Sequence, residues 1–181
     1  MTTEYYIALQ EPSVKLLVKS RQSVAGTVAT VGVEFLLHSQ TVGDQRKAVF
    51  EDILYSEFDV ESWKKNQGRK VTKAELNEAH QQFLIENSNK LKALIKQEIV
   101  NLYDIPVQVK KGGELQSVVF PTISEFKTEL LGDKQSEKEA LAFLLDSFLD
   151  SAPWSSAFTQ KIYEVWQNLS TITDEQEAKN S

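Results

Sequence analysis

The chain has 181 residues, of which 41% are hydrophobic and 25% are charged. This composition is typical of a globular domain rather than a disordered chain, no apolar run reaches the ~20 residues that cross a bilayer, and the absence of cysteine excludes disulfides, thiolate metal ligands and cysteine nucleophiles. The whole net charge of −6 comes from residues 122–181, with 11 acids and 5 bases, a sign that disfavours nucleic acid as a partner.

The first 38 residues predict a small antiparallel meander of strands. Apolar residues cluster at Tyr5–Leu9 and Val14–Val18, and Val31–Leu37 alternates with the period of a half-buried strand. The polar link 19–26 ends in glycine, as a hairpin connection does. The first ten residues contain Glu4 and no basic residue, so we expect no secretory signal and a cytoplasmic protein.

Helical periodicity follows. An apolar stripe predicts a helix over residues 43–56, and the segment 57–73 lacks periodicity and predicts a polar connection. Thr72 and Glu75 form a T-x-x-E capping box, which predicts a long helix over 73–103, although five polar residues interrupt its stripe at 86–90.

Two short β-rich runs around Gly112 and Gly113 predict a hairpin over residues 105–120, inserted between helical parts. Three more helices are predicted beyond it. Thr122 opens one that stops at Gly132, Ser136 opens the second, and the third begins near Pro153, since proline is tolerated in a first helical turn.

These elements predict a single α+β domain with a small antiparallel sheet, a long central helix, a hairpin and a helical C-terminal bundle. The domain spans residues 1–172, and a flexible acidic tail follows at 173–181. Within the domain are a strand-rich part at 1–56, the long helix at 72–103, the hairpin at 105–120 and a helical part at 122–170.

The sequence predicts no catalytic residue, no metal ligand set and no cofactor. There are two histidines, His38 and His80, and neither a G-x-S-x-G elbow nor a phosphate-binding glycine loop occurs. An alternative is a magnesium site formed by Glu57, Asp59 and Glu61, which are followed by Lys64. A solvated loop explains this acidic segment better.

Aromatic residues supply the candidate partner surface. Trp63 lies beside a run with five positive charges in ten positions. The first interpretation of this run is a flexible loop, and the second is a docking site for an acidic partner. Six aromatic residues crowd positions 143–166, and a helical core explains most of them. Aromatic side chains also concentrate association energy, so four of them, with Trp63, are candidate partner-binding residues: Phe143, Trp154, Tyr163 and Trp166.

Two segments resemble the tail assembly chaperones of long-tailed bacteriophages. Residues 31–54, VGVEFLLHSQTVGDQRKAVFEDIL, are similar to the strand-then-helix opening of these proteins, and residues 143–158, FLLDSFLDSAPWSSAF, are similar to the helix–Pro–Trp–helix end of some of them. The match covers about 40 of the 181 residues and rests on pattern, and the region 104–121 with the helix before it has no counterpart.

The resemblance implies a non-enzymatic factor of the host cytoplasm that coats the tape-measure protein, keeps it soluble and recruits tail-tube subunits. It implies no catalytic residue. An edge strand near Tyr5 or the aromatic helices would also allow copies to pair, which favours a homo-oligomer.

The alternative is a virus-encoded inhibitor of a host defence nuclease, whose acidic residues imitate nucleic-acid phosphates. The C-terminal acids follow the required spacing only in part, because lysines at 127, 134 and 138 interrupt them.

Overall fold

The computed structural model describes residues 13–24, 27–132 and 135–179, with side chains described for 13–20, 29–132 and 135–167. In chain order the elements are β1 (Ser13–Val24), β2 (Thr27–Leu36), α1 (Gln40–Leu54), α2 (Val60–Gln67), α3 (Lys73–Glu98), β3 (Ile99–Lys111), β4 (Glu114–Thr122), α4 (Ile123–Phe126) with a π-helical turn (Lys127–Leu131), α5 (Glu137–Asp150) and α6 (Ala152–Lys179). The predicted α+β class is confirmed.

The four described strands form one antiparallel sheet in the order β1-β2-β3-β4. Val33 pairs with Leu102 and lies on the buried face, since alternate residues of a strand point to the same side. Helices α1, α5 and α6 add Phe50, Leu145 and Phe158 to the same core.

The opposite face of the sheet carries a polar network. The Tyr103 hydroxyl donates to Glu34 Oε2 over 2.7 Å, and Lys15 Nζ lies 3.5 Å from the centre of the Tyr103 ring. A Cβ at position 32 would lie 3.1 Å from Tyr103 Cβ, so a larger residue than glycine would need Tyr103 to shift by a few tenths of an ångström. The hydrogen bonds from Ser13 and Tyr103 lower the pKa of Glu34.

Several local predictions are confirmed. Capping boxes open α3 at Thr72 and Glu75 and α5 at Ser136 and Glu139, and the Thr122 side chain accepts from the Glu125 amide at the start of α4. The strand predicted at 31–37 is present in β2 up to Leu36, and the hairpin turns at Gly112 and Gly113.

Three features of the central region differ from the predictions. Helix α3 ends at Glu98 rather than at 103, because Ile99 and Leu102 pair with β2. The same pairing makes the hairpin part of the sheet and not an insertion. Residues 57–73 include a helix, α2, where a connection is predicted, since Asp59 caps its start and Gly68 ends it at a positive φ of 63°.

Two further predictions concern the ends of the chain. The strand at Tyr5–Leu9 lies outside the described residues. Helix α6 continues to Lys179 and so passes through most of the segment 173–181, for which the sequence predicts a tail.

Candidate binding surfaces

Two of the predicted partner-binding residues, Trp154 and Trp166, lie in the core. Trp154 is 8% exposed and its ring centre lies 4.9 Å from that of Phe148. Trp166 is 3% exposed and contacts Phe50 edge-on at 5.3 Å. Both side chains therefore hold helices together and leave little surface for a partner, which is a correction to the sequence interpretation.

Tyr163 and Phe143 are more accessible, but they lie on different helices with different neighbours. The Tyr163 hydroxyl donates to Glu51 Oε1 over 2.5 Å, and this carboxylate raises the pKa of Tyr163. Phe143 is 53% exposed and stacks on Phe126 at 6.5 Å. No ring contact among the described residues brings the two together.

Trp63 belongs to an aromatic cluster that joins α2 to α3. The ring of Phe58 lies 6.1 Å from Trp63, 5.6 Å from Phe83 and 5.5 Å from His80, against which it stacks nearly in parallel. Because His80 packs on an aromatic ring, it is part of the helix–helix contact.

A shallow cleft of about 320 Å³ opens beside this cluster. Trp63 and Ala79 provide its apolar surface, and Arg69, Glu75 and Glu78 bring both signs of charge to it. We call it the α2–α3 cleft; its remaining lining residues are Gln67 and Gln82.

The cleft lies on a segment with little burial of its own. No residue from 51 to 94 is fully buried, and α3 contributes only Ile95 and Glu98 to the buried set. We call residues 55–90 the arm. Four large apolar side chains on it or at its base are 40% to 70% exposed: Leu54, Tyr55, Leu84 and Ile85.

An ion pair between Arg69 and Glu75 lies at the start of α3. Arg69 Nη2 donates to Glu75 Oε1 over 2.5 Å, and the Thr72 amide donates to Glu75 Oε2 over 2.8 Å. These contacts lower the pKa of Glu75 to about 2. The carboxylate is therefore ionised through the physiological range and holds the connection between α2 and α3 against the helix.

The acids considered as a magnesium site do not form one. Asp59 accepts from the Ser62 amide as the cap of α2, which lowers its pKa, and Glu61 pairs with Lys64 over 3.3 Å. Within the described ranges, no group of three or more His, Cys, Asp or Glu side chains is placed to hold a metal ion.

The sequence does not predict a polar cluster that forms around the buried Glu98. Glu98, at the end of α3, is 2% exposed; its Oε2 lies 2.7 Å from His38 Nε2, and its Oε1 accepts from Arg46 Nη1 over 2.6 Å. Both carboxylate oxygens are used by these partners, so the cluster ties the end of β2, α1 and α3 together. The three residues lie up to 60 positions apart, and no local pattern connects them.

In the part of the chain that the structure describes, none of the helices combines the length and the hydropathy that crossing a membrane requires. Comparison with protein-family models, with curated proteins and with solved structures found no match.

Proposed function

We propose that the protein is a non-enzymatic binding protein and, more specifically, a tail assembly chaperone of a long-tailed bacteriophage. In this role it acts in the host cytoplasm, covers the tape-measure protein and recruits tail-tube subunits to it. The resemblance of residues 31–54 and 143–158 to such chaperones suggests the family. The arm supplies the physical argument for a binding role.

The single observation that carries the proposal is the lack of burial along the arm. The arm, residues 55–90, has no fully buried side chain, and it exposes Tyr55 at 70% and Ile85 at 53%. Contiguous exposed apolar surface marks interaction sites in soluble proteins. A client that covers the arm would bury this surface.

The occupant that fits the α2–α3 cleft is an amphipathic helix. Such helices bind by placing apolar residues at positions i, i+3 and i+4 into a groove, with charges at its rim. Trp63 and Ala79 offer the apolar surface, and Glu78 offers a partner for a basic residue of the helix. The tape-measure protein is a long helical client and presents this kind of surface repeatedly.

The acidic remainder of the chain suits the same role. Residues 122–181 carry the whole net charge of −6, so copies bound side by side along one client would repel one another. This repulsion would keep a coated client soluble.

Co-expression with the tape-measure protein tests the proposal. We expect the client to be soluble with the wild-type protein and to precipitate with Trp63→Ser, which removes the main apolar side chain of the cleft. Leu17→Ser is the control, because Leu17 is a large apolar side chain that is 54% exposed on β1, away from the arm. A client that is equally soluble without the protein, or with Trp63→Ser, would refute the proposal.

The nuclease-inhibitor alternative has less support. Mimicry of phosphates requires free carboxylates in a row, whereas Glu139 accepts from the amide and hydroxyl of Ser136 and Glu125 contacts Thr122, each at a helix start. Specific capture of a host nuclease, with no effect on the solubility of a tape-measure protein, would favour this alternative instead.

A further inference from the structure

The outer edge of β4 is unpaired among the described elements, because β4 is the last strand of the sheet. Leu115 and Val119 on this strand are 69% and 57% exposed. Natural proteins often protect edges with lysine, and β1 at the other edge carries Lys15 and Lys19. From Leu115 to Thr122, β4 has no charged residue.

The turn determines which backbone groups of β4 face outward. Lys111 and Glu114 close a two-residue turn and therefore form a hydrogen-bonded pair, after which bonded and non-bonded pairs alternate. By this alternation, Leu115, Ser117 and Val119 direct their N–H and C=O groups away from β3. Their side chains also share one face of the strand, since they are two residues apart.

We propose that β4 pairs antiparallel with β4 of a second copy, with Ser117 of one copy opposite Ser117 of the other. This register places Leu115 opposite Val119 of the second copy, and Val119 opposite Leu115. The two exposed apolar side chains of each edge become cross-strand neighbours, which is the contact that stabilises antiparallel pairs. The two four-stranded sheets form one continuous sheet.

The symmetry of the strand is the reason that a second copy fits. Leu115 and Val119 lie at equal distances from Ser117, so the apolar positions coincide when the strand meets itself in the opposite direction. Charge allows the contact as well. The hairpin 99–122 is neutral in an acidic chain, with Asp104 and Glu114 balanced by Lys110 and Lys111.

The distal half of the hairpin gives a second reason for pairing. Among the described strands, β3 pairs with β2 only from Ile99 to Tyr103, and residues 105–111 pair with β4. A two-stranded ribbon is marginally stable in water, whereas four strands are stable. Pairing through β4 converts the two ribbons into a four-stranded segment.

Disulfide trapping tests the register directly, because the chain has no cysteine of its own. We expect Ser117→Cys to form a covalent dimer under mild oxidation. Gln108→Cys is the matched control, since Gln108 is exposed and lies opposite Ser117 on β3. In the joint sheet its two copies would be three strand spacings, about 14 Å, apart and beyond disulfide reach. Equal cross-linking of the two variants, or none with Ser117→Cys, would overturn the proposal.

Charge substitutions at the edge give an independent readout by sedimentation equilibrium. The wild-type protein should approach twice its 20.5 kDa mass, and the variant L115K/V119K should weaken the dimer on the order of tenfold or more, since lysines meet twice. The variant L115E/V119K should restore it, because glutamate then faces lysine at both positions. A monomeric wild type, or a dimer that responds equally to both variants, would overturn the proposal. Circular dichroism shows whether each variant is folded.

Discussion

Replacement of Phe58 by alanine should release α2 from α3 and leave the rest of the fold intact. Phe58 contacts three rings, those of Trp63, His80 and Phe83, and α2 has no buried residue of its own. Ring pairs contribute about 0.5–1.5 kcal/mol each, and truncation of a fully buried Phe costs about 3–5 kcal/mol. Because Phe58 is half buried, we expect a loss of about 2–3 kcal/mol of docking free energy.

Hydrogen exchange measures this loss locally. A cost of about 2–3 kcal/mol is a factor of about 30–150 in the docking equilibrium, and amide exchange in residues 60–67 should accelerate accordingly. Exchange at Val31–Phe35 in the core should not change, because this part of β2 lies outside the arm. The fluorescence emission should also shift to the red, since Trp63 is the tryptophan that becomes exposed.

Phe143→Ala is the control for this experiment. Phe143 is 53% exposed and stacks on a single ring, so its truncation should cost less than about 1 kcal/mol and leave α2 unaffected. Unchanged protection of α2 in Phe58→Ala would refute the reasoning. Equal loss of protection in α2 and in β2 would also refute it, because the arm would then not be a separate unit.

Two further predictions concern charged contacts. Arg46→Met leaves the carboxylate of Glu98 buried with one partner and should cost about 2–4 kcal/mol in urea unfolding. Lys92→Met removes the partner of Asp150, whose carboxylate is exposed, and should cost clearly less. Equal costs would contradict this difference. Because the pKa of Glu75 falls from 4.5 to about 2 on folding, its stabilisation of the arm is complete above pH 4.5 and is lost as the pH falls towards 2. The protection factors of amides at the start of α3, which are exchange rates corrected for the intrinsic pH dependence of amide exchange, should therefore fall with acid in the wild type and show less pH dependence in Glu75→Gln. The same pH dependence of the protection factors in both proteins would contradict the assignment.

The elements that the sequence predicts well are those with local causes. The capping box of α3 needs only Thr72 and Glu75, three positions apart, and that of α5 needs only Ser136 and Glu139. The alternation of Val31, Val33 and Phe35 likewise lies within one strand. Such features depend on short-range hydrogen bonds and on one buried face, both of which are visible in a few consecutive residues.

The boundary between α3 and β3 depends on distant residues instead. Ile95, Ile99 and Leu102 have helical spacing and continue the stripe of α3, so periodicity predicts a helix through 103. In the fold Ile99 pairs with Phe35 and Leu102 pairs with Val33, more than 60 positions earlier. A helix and a strand would each bury these side chains, and only the pairing with β2 decides between the two.

The candidate binding surface was partly predictable. Trp63 is predictable as an aromatic residue beside a basic run, but the three rings that surround Phe58 come from α2 and α3, and the sequence does not predict α2. Aromatic residues concentrate in interfaces, which makes Trp154 and Trp166 candidates, and in this fold the same property places them in the core. Residue type alone does not separate the two uses.

The same physical fact explains why the arm was hard to predict and why it suits a client. Periodicity appears in a sequence when one face of an element is buried by the rest of the same chain. Residues 51–94 have no fully buried side chain, so α2 shows little pattern and α3 is interrupted at 86–90. The apolar residues that remain, Tyr55 and Ile85 among them, are exposed. A helical client lying along the arm would cover them.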